Sequence, residues 1–235
     1  MEGSLFSILL IGFVLGIKHA LEPDHVIAVS TIASQSKKLS RSSLAGVFWG
    51  IGHTLTLFVV GMSVIFMKGE IPEEWALSLE FLVGIMLVYL GVSSIFNLRR
   101  IGATTHTHSE INHDHFHLHP VKPSTAHIHK KVSYLKSMFI GIIHGLAGSA
   151  AMVVLTMSTV SSVWQGAMYM LVFGLGTVAG MLISTTIIGI PFVLTASKER
   201  VNTWLTQATG TISTLFGVYY MYNLGITEGL FSIWF

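Results

Sequence analysis

His19-Ala20-Leu21-Glu22-Pro23-Asp24-His25 sets two imidazoles and two carboxylates around a proline, inside an apolar stretch, Leu5 to Thr31, long enough to cross a bilayer. Charged and ionisable groups are costly in lipid, and those that persist there usually line a functional path. Mixed nitrogen and oxygen donors suit a divalent transition ion. On an unbroken helix, Asp24 would point roughly 140° and His25 roughly 240° away from His19, so the three side chains could not share an ion. Pro23 has no amide hydrogen for the carbonyl of His19, four residues earlier, and its ring forces the helix apart. The sequence therefore predicts a first helix broken at this motif, with His19, Asp24 and His25 brought together and a backbone oxygen freed as a further donor.

The rest of the chain reads as membrane protein. Hydrophobic residues make up 51% of the 235 and charged residues 10%, with a mean hydropathy of +0.69, against about 25% charged in a soluble domain. Apolar stretches recur six times: Leu5 to Thr31, Leu44 to Met67, Leu77 to Leu98, Leu135 to Thr156, Ala167 to Leu194 and Ala208 to Ile226. The absence of cysteine excludes thiolate zinc sites, iron–sulfur clusters and disulfide frameworks. A net charge of +2, spread between spans, does not point to nucleic acid. The N-terminal apolar run lacks a basic leader and a small-residue cleavage site, and is expected to be the first helix of the mature protein.

Basic residues fall on alternate connections. Lys37, Lys38 and Arg41 follow span one; Arg99, Arg100, Lys122, Lys130, Lys131 and Lys136 follow span three; Lys198 and Arg200 follow span five. This places those connections in the cytoplasm and both termini outside the cytoplasmic membrane. The two halves also resemble each other at an offset of about 125 residues: Gly16-Ile17-Lys18-His19-Ala20-Leu21 lies over Gly141-Ile142-Ile143-His144-Gly145-Leu146, and Gly50-Ile51-Gly52 over Gly174-Leu175-Gly176. A three-span half starts and ends on opposite sides, so its copy is inverted, as in secondary transporters that bind substrate between their halves. The expected fold is an all-α polytopic membrane protein of six transmembrane helices in two inverted three-helix repeats. Residues 1–98 form the first repeat, 99–134 a His-rich cytoplasmic loop, and 135–235 the second repeat.

Four of the twelve histidines, His19, His25, His53 and His144, lie within the spans. At about 1.5 Å per residue all four come out roughly 13 to 23 Å from the cytoplasmic face, one central layer of a core about 30 Å thick. The candidate metal residues are His19, Asp24, His25 and His53, with His144 ranked below them. His53 follows Gly50-Ile51-Gly52, which permits close helix approach, and is either a ligand or a partner that orients one. Lys18 and Glu22, four residues apart, are expected to pair with each other. The other eight histidines lie between His106 and His129, several at every second position, and read as a flexible metal-gathering segment.

At the heptapeptide, Lys18-His19-Ala20-Leu21-Glu22-Pro23-Asp24-His25-Val26 resembles the signature of the nickel/cobalt transporter family, Arg-His-Ala-x-Asp-Ala-Asp-His-Ile, and Ile51-Gly52-His53 resembles that family's Leu-Gly-His. The resemblance implies ligand roles for His19, Asp24 and His25. His144-Gly145-Leu146-Ala147-Gly148-Ser149 stands where the family's importers carry an Asp-Thr-x-Thr-Glu type run. The short six-span chain looks more like the small urease-accessory permease branch, and its loop is similar to the efflux branch. The expectation is thus a secondary permease for Ni2+ or Co2+, with import favoured and efflux as the alternative. The metal is cargo, no cofactor is expected, and the resemblance implies a link to nickel-enzyme maturation such as urease. A membrane metalloenzyme or a metal sensor are the other readings. Glu-x-x-His, His-Glu-x-x-His and Gly-x-Ser-x-Gly are absent from the sequence, as is a Gly-x4-Gly-Lys-Ser/Thr phosphate loop, so no catalytic residues are assigned.

Overall fold

The computed structural model describes residues 5–67, 71–101, 133–160 and 162–234. The eight histidines between His106 and His129, expected in a cytoplasmic loop, lie outside the described residues. The elements among the described residues are all helices, joined by short turns: α1 (Leu5–His19), α2 (Pro23–Ala33), α3 (Leu39–Met67), α4 (Glu73–Ile101), α5 (Tyr134–Thr159), α6 (Val163–Leu194), α7 (Glu199–Tyr222), a π-helical turn (Asn223–Thr227) and α8 (Leu230–Trp234). Helix α3, residues 73–96 of α4, and α6 are long and apolar enough to cross a membrane, and α1 with α2 adds a fourth crossing if the bent pair is one span. Among the described residues α5 and α7 do not meet that test, although they have 26 and 24 residues. Some of their polar residues are buried, Ser137 and Thr156 on α5 and Thr206 and Ser213 on α7, and Ser213 donates to the Leu87 carbonyl on α4 at 2.8 Å.

Local signals account for the helix starts. Ser133 and Ser162 cap α5 and α6, their hydroxyls accepting from the amides of Lys136 and Gln165, both at 3.3 Å. Glu73 and Glu74, which the sequence places in a connection, form the acidic first turn of α4, where carboxylates favour the positive end of the helix dipole. At the far end of the chain, Gly229 takes a positive φ of 82° that opens the turn into α8, and Trp234 Nε1 donates to Ser78 on α4 at 3.2 Å.

The break in the first span differs from expectation in one respect. The chain bends by 57° between α1 and α2, yet Pro23 does not interrupt a helix from within: it stands at the first position of α2, where no amide is required of it. Residues 20–22 make a tight turn, in which the amides of Leu21 and Glu22 donate to the carbonyls of Lys18 and His19, both at 3.0 Å. The His19 carbonyl is therefore occupied, and the freed backbone donor expected from the sequence does not form.

Glycines set the helix spacing. A Cβ at Gly16 would overlap the backbone of Phe173 and one at Gly176 that of Phe13, which holds α1 against α6. Likewise a Cβ at Gly141 would overlap the Trp49 backbone, and one at Gly52 the Met138 backbone, which holds α3 against α5. Gly84 opposes Gly217, and Gly91 opposes Gly210, where α4 crosses α7. Small residues at these crossings bring backbones together and supply dispersion contact where lipid gives no hydrophobic drive. The order of contacts makes α1 parallel to α6 and α3 parallel to α5, while α3 runs antiparallel to α6. A core of Ala28, Val29, Ile32, Trp49, Leu87 and Met181, all nearly inaccessible, fills the space between α2, α3, α4 and α6.

A candidate metal centre at the helix break

The turn at residues 20–22 reverses the angular separation that a continuous helix would impose. It lets His19, at the last position of α1, face His25, in the first turn of α2, with ring centroids 4.6 Å apart. His53 enters from α3, 5.2 Å from His19 and 5.1 Å from His25. His144 enters from α5, 4.0 Å from His25 and 5.7 Å from His53. Four imidazoles from four helices thus meet at one level.

Two sets of donor atoms lie close enough to share an ion: His19, His25 and His53 in one, and Asp24, His25 and His144 in the other, each with its donor atoms within 4.8 Å of one another. Hydrogen bonding distinguishes them. Asp24 has both oxygens engaged, Oδ1 accepting from His25 Nδ1 at 3.2 Å and Oδ2 from His144 Nε2 at 2.8 Å. His19 Nδ1 donates to Glu22 Oε2 at 2.9 Å. Each carboxylate fixes a tautomer: with Nδ1 protonated on His19 and His25, the Nε2 lone pairs of both rings are left to face inward.

Several ring nitrogens of the cluster lack ordinary partners. His25 Nε2, His53 Nδ1 and His144 Nδ1 are buried without a hydrogen bond, and the rings carrying them are at most 2% exposed. His19 Nε2 faces His53 Nε2 at 3.1 Å, a contact that needs one proton between the two nitrogens or a cation shared by both. Buried polar atoms rarely go unsatisfied. An arrangement of neutral imidazoles oriented by carboxylates is what a late first-row dication requires of its ligands.

Every sequence-predicted site residue stands in this cluster, including His144, which the sequence ranked last and which holds one oxygen of Asp24. Glu22 departs from expectation: it pairs with His19 and not with Lys18. The four-residue rule presumes a continuous helix, and here the turn intervenes. Sequence reasoning missed Glu80 on α4, half-buried, which accepts a hydrogen bond from the Tyr220 hydroxyl on α7 at 3.2 Å. A carboxylate seven residues into an apolar helix was the available signal.

A family model described as cytochrome C biogenesis protein transmembrane region matches residues 26–219. The chain is 63% identical to the urease accessory protein UreH of Bacillus sp. (strain TB-90), covering 98% of this chain and 97% of that one. The chloroplast protein FOR GROWTH AND FERTILITY 1 of Arabidopsis thaliana is 27% identical across 76% of this chain and 48% of its own. The nickel transporter NixA of Staphylococcus aureus is 29% identical across 40% of this chain and 30% of its own. No solved structure matches. A matched region covering most of the chain, and close similarity along nearly all of it, place this protein in the cytochrome C biogenesis transmembrane-region family and, within it, in the UreH-like branch.

Proposed function

We propose that this protein is a secondary permease that imports divalent transition-metal ions, Ni2+ foremost and Co2+ second, through the cluster at the helix break. The observation that carries the reading is the meeting of His19, His25 and His53 with donor atoms within 4.8 Å of one another, the first two rings oriented by carboxylates and His25 Nε2 buried without a partner. His19, His25 and His53 hold the ion. Asp24 and Glu22 orient two of those rings, and His144 secures Asp24 from the opposite side. Imidazole favours Ni2+, Co2+, Cu2+ and Zn2+ over Mg2+ and Ca2+. The similarity to the nickel transporter NixA favours nickel among these, and the similarity to the urease accessory protein UreH favours delivery to a nickel enzyme inside the cell.

The helix contacts support two inverted repeats of three spans. With the halves overlaid, Gly16 against Phe173 answers Gly141 against Trp49, and Gly176 against Phe13 answers Gly52 against Met138. Gly84 against Gly217 answers Gly210 against Gly91. Such reciprocity is what a two-fold axis in the membrane plane produces, with the ion near that axis. The positions of the basic connections support a cytoplasmic 34–38 turn and outside termini.

Uptake of radioactive nickel into cells or right-side-out vesicles tests the reading. The wild-type chain should accumulate nickel above an empty-vector control, and a folded His25→Ala protein should not. Equal accumulation by His25→Ala would remove the cluster from the path.

A further inference from the structure

The cluster is not equally buried throughout. His25, His53 and His144 are at most 2% exposed, whereas the His19 side chain is 19% exposed. Beside His19 lies a cavity of 180 Å3. Its walls are Leu15 of α1, Leu57 of α3, Met152 and Leu155 of α5 and Phe173 of α6, and Lys18, His19 and Glu22 line it at the helix break. Each wall residue lies beyond the cluster in the same direction: Leu57 follows His53 and Met152 follows His144, while Leu15 precedes His19. Since α3 and α5 run parallel, and α1 and α6 run opposite to α3, all of these residues stand toward the bundle end that carries Leu5, Met67 and Val163. The 34–38 turn occupies the opposite end.

One residue decides whether this cavity reaches the nitrogens. A Cβ at Gly148, which also lines the cavity, would sit 3.8 Å from His19 Nε2 and 3.8 Å from Leu57 Cδ2. This is ordinary contact with the ring edge and not with another backbone. Gly148 therefore differs from Gly141 and Gly145, whose missing side chains admit α3: a Cβ at either would crowd the backbone of Trp49 or His53. At Gly148 the missing side chain leaves space over a ligand atom.

We infer that ions reach the His19–His25–His53 cluster through this cavity, from the bundle end opposite the 34–38 turn, and that Gly148 keeps that approach open. The inference rests on the reading of the three imidazoles as an ion site and adds to it the side of entry and the residue that controls it. Glu22, which lines the cavity and is 47% exposed, offers a carboxylate to an arriving dication and is joined to His19, the imidazole that lines the cavity with it. The open side also leaves coordination positions for water, so that an ion held by three imidazoles stays exchangeable, whereas a closed protein cage would retain it.

The chain contains no cysteine, so a single introduced thiol reports one position in it. Leu155→Cys, on the cavity wall, should react in sealed vesicles with a charged, membrane-impermeant methanethiosulfonate reagent from the face opposite that which labels Gln35→Cys in the 34–38 turn. Ni2+ should slow the reaction at least tenfold, and a Leu155→Cys/His25→Ala double variant should lose that protection, as should a folded Leu155→Cys/Gly148→Leu variant, whose unchanged protection would overturn the role of Gly148. Met152→Cys, on the same wall, serves as the second reporter should Leu155→Cys fail to fold. Labelling from the Gln35→Cys face, or no labelling of a folded reporter, overturns the inference. So does labelling that Ni2+ leaves unchanged while the purified protein binds Ni2+. Labelling from the expected face in a protein that binds no Ni2+ would instead uphold the cavity and sink the ion site beneath it.

Discussion

His19 Nε2 and His53 Nε2 face each other at 3.1 Å across two helices that the sequence separates by 34 residues. Two ring nitrogens so placed compete for one proton, and a dication resolves the competition by accepting both lone pairs. Removing either ring removes a ligand, so His19→Ala and His53→Ala should each lower Ni2+ affinity by at least about tenfold, on the order of 1.4 kcal/mol or more. Equilibrium binding to purified protein with its loop histidines replaced checks this.

Asp24 touches two imidazoles through two oxygens, whereas Glu22 touches one and is 47% exposed. Groups that orient metal-binding imidazoles typically contribute about 10–100-fold in affinity. Asp24→Asn should fall within that range, and Glu22→Gln should cost less because solvent reaches its partner. An equal loss in both variants, measured by the same titration, would contradict this division of roles.

Metal binding requires unprotonated imidazole, so ions and protons compete for the same nitrogens. Ni2+ affinity should fall as pH is lowered and protons should be released as the ion binds, which calorimetry in buffers of different ionisation enthalpy measures. A pH-independent affinity with no proton release would contradict an imidazole site.

Pro23 begins α2 immediately after the turn that carries the 57° bend. Pro23→Ala supplies an amide that can take the His19 carbonyl in place of the Glu22 amide, which favours a continuous helix over the turn and moves Asp24 and His25 away from His19. The variant should keep its helicity by circular dichroism and lose Ni2+ affinity.

Gly141 and Gly148 lie two turns apart on α5 yet answer different needs. Gly141→Ala would drive a methyl group into the Trp49 backbone and should destabilise the protein by about 1–3 kcal/mol, seen as a lower Tm in detergent. Gly148→Ala meets only ordinary contacts and should unfold close to the wild-type temperature.

The sequence exposes the main parts of this architecture because intramembrane charge is rare enough to be informative. His19, Asp24, His25 and His53 could be identified from their apolar surroundings, and the bend from Pro23. What stayed hidden depended on local geometry. The turn at residues 20–22 satisfied the His19 carbonyl and moved Glu22 from Lys18 to His19. The partnership of His144 with Asp24 joins residues 120 positions apart, and no local pattern encodes it. The polar composition of α7, with Asn202, Gln207 and several threonines, weakened its apolar signal, although Thr206 and Thr214 return their hydroxyls to carbonyls of their own helix.

Nickel K-edge X-ray absorption on protein whose eight loop histidines are replaced by serine tests the central claim most directly. One Ni2+ per chain should be bound, with the scattering pattern of about three imidazoles, falling by one in His53→Ala. A shell of oxygen alone, or a spectrum that His53→Ala leaves unchanged, would contradict the account.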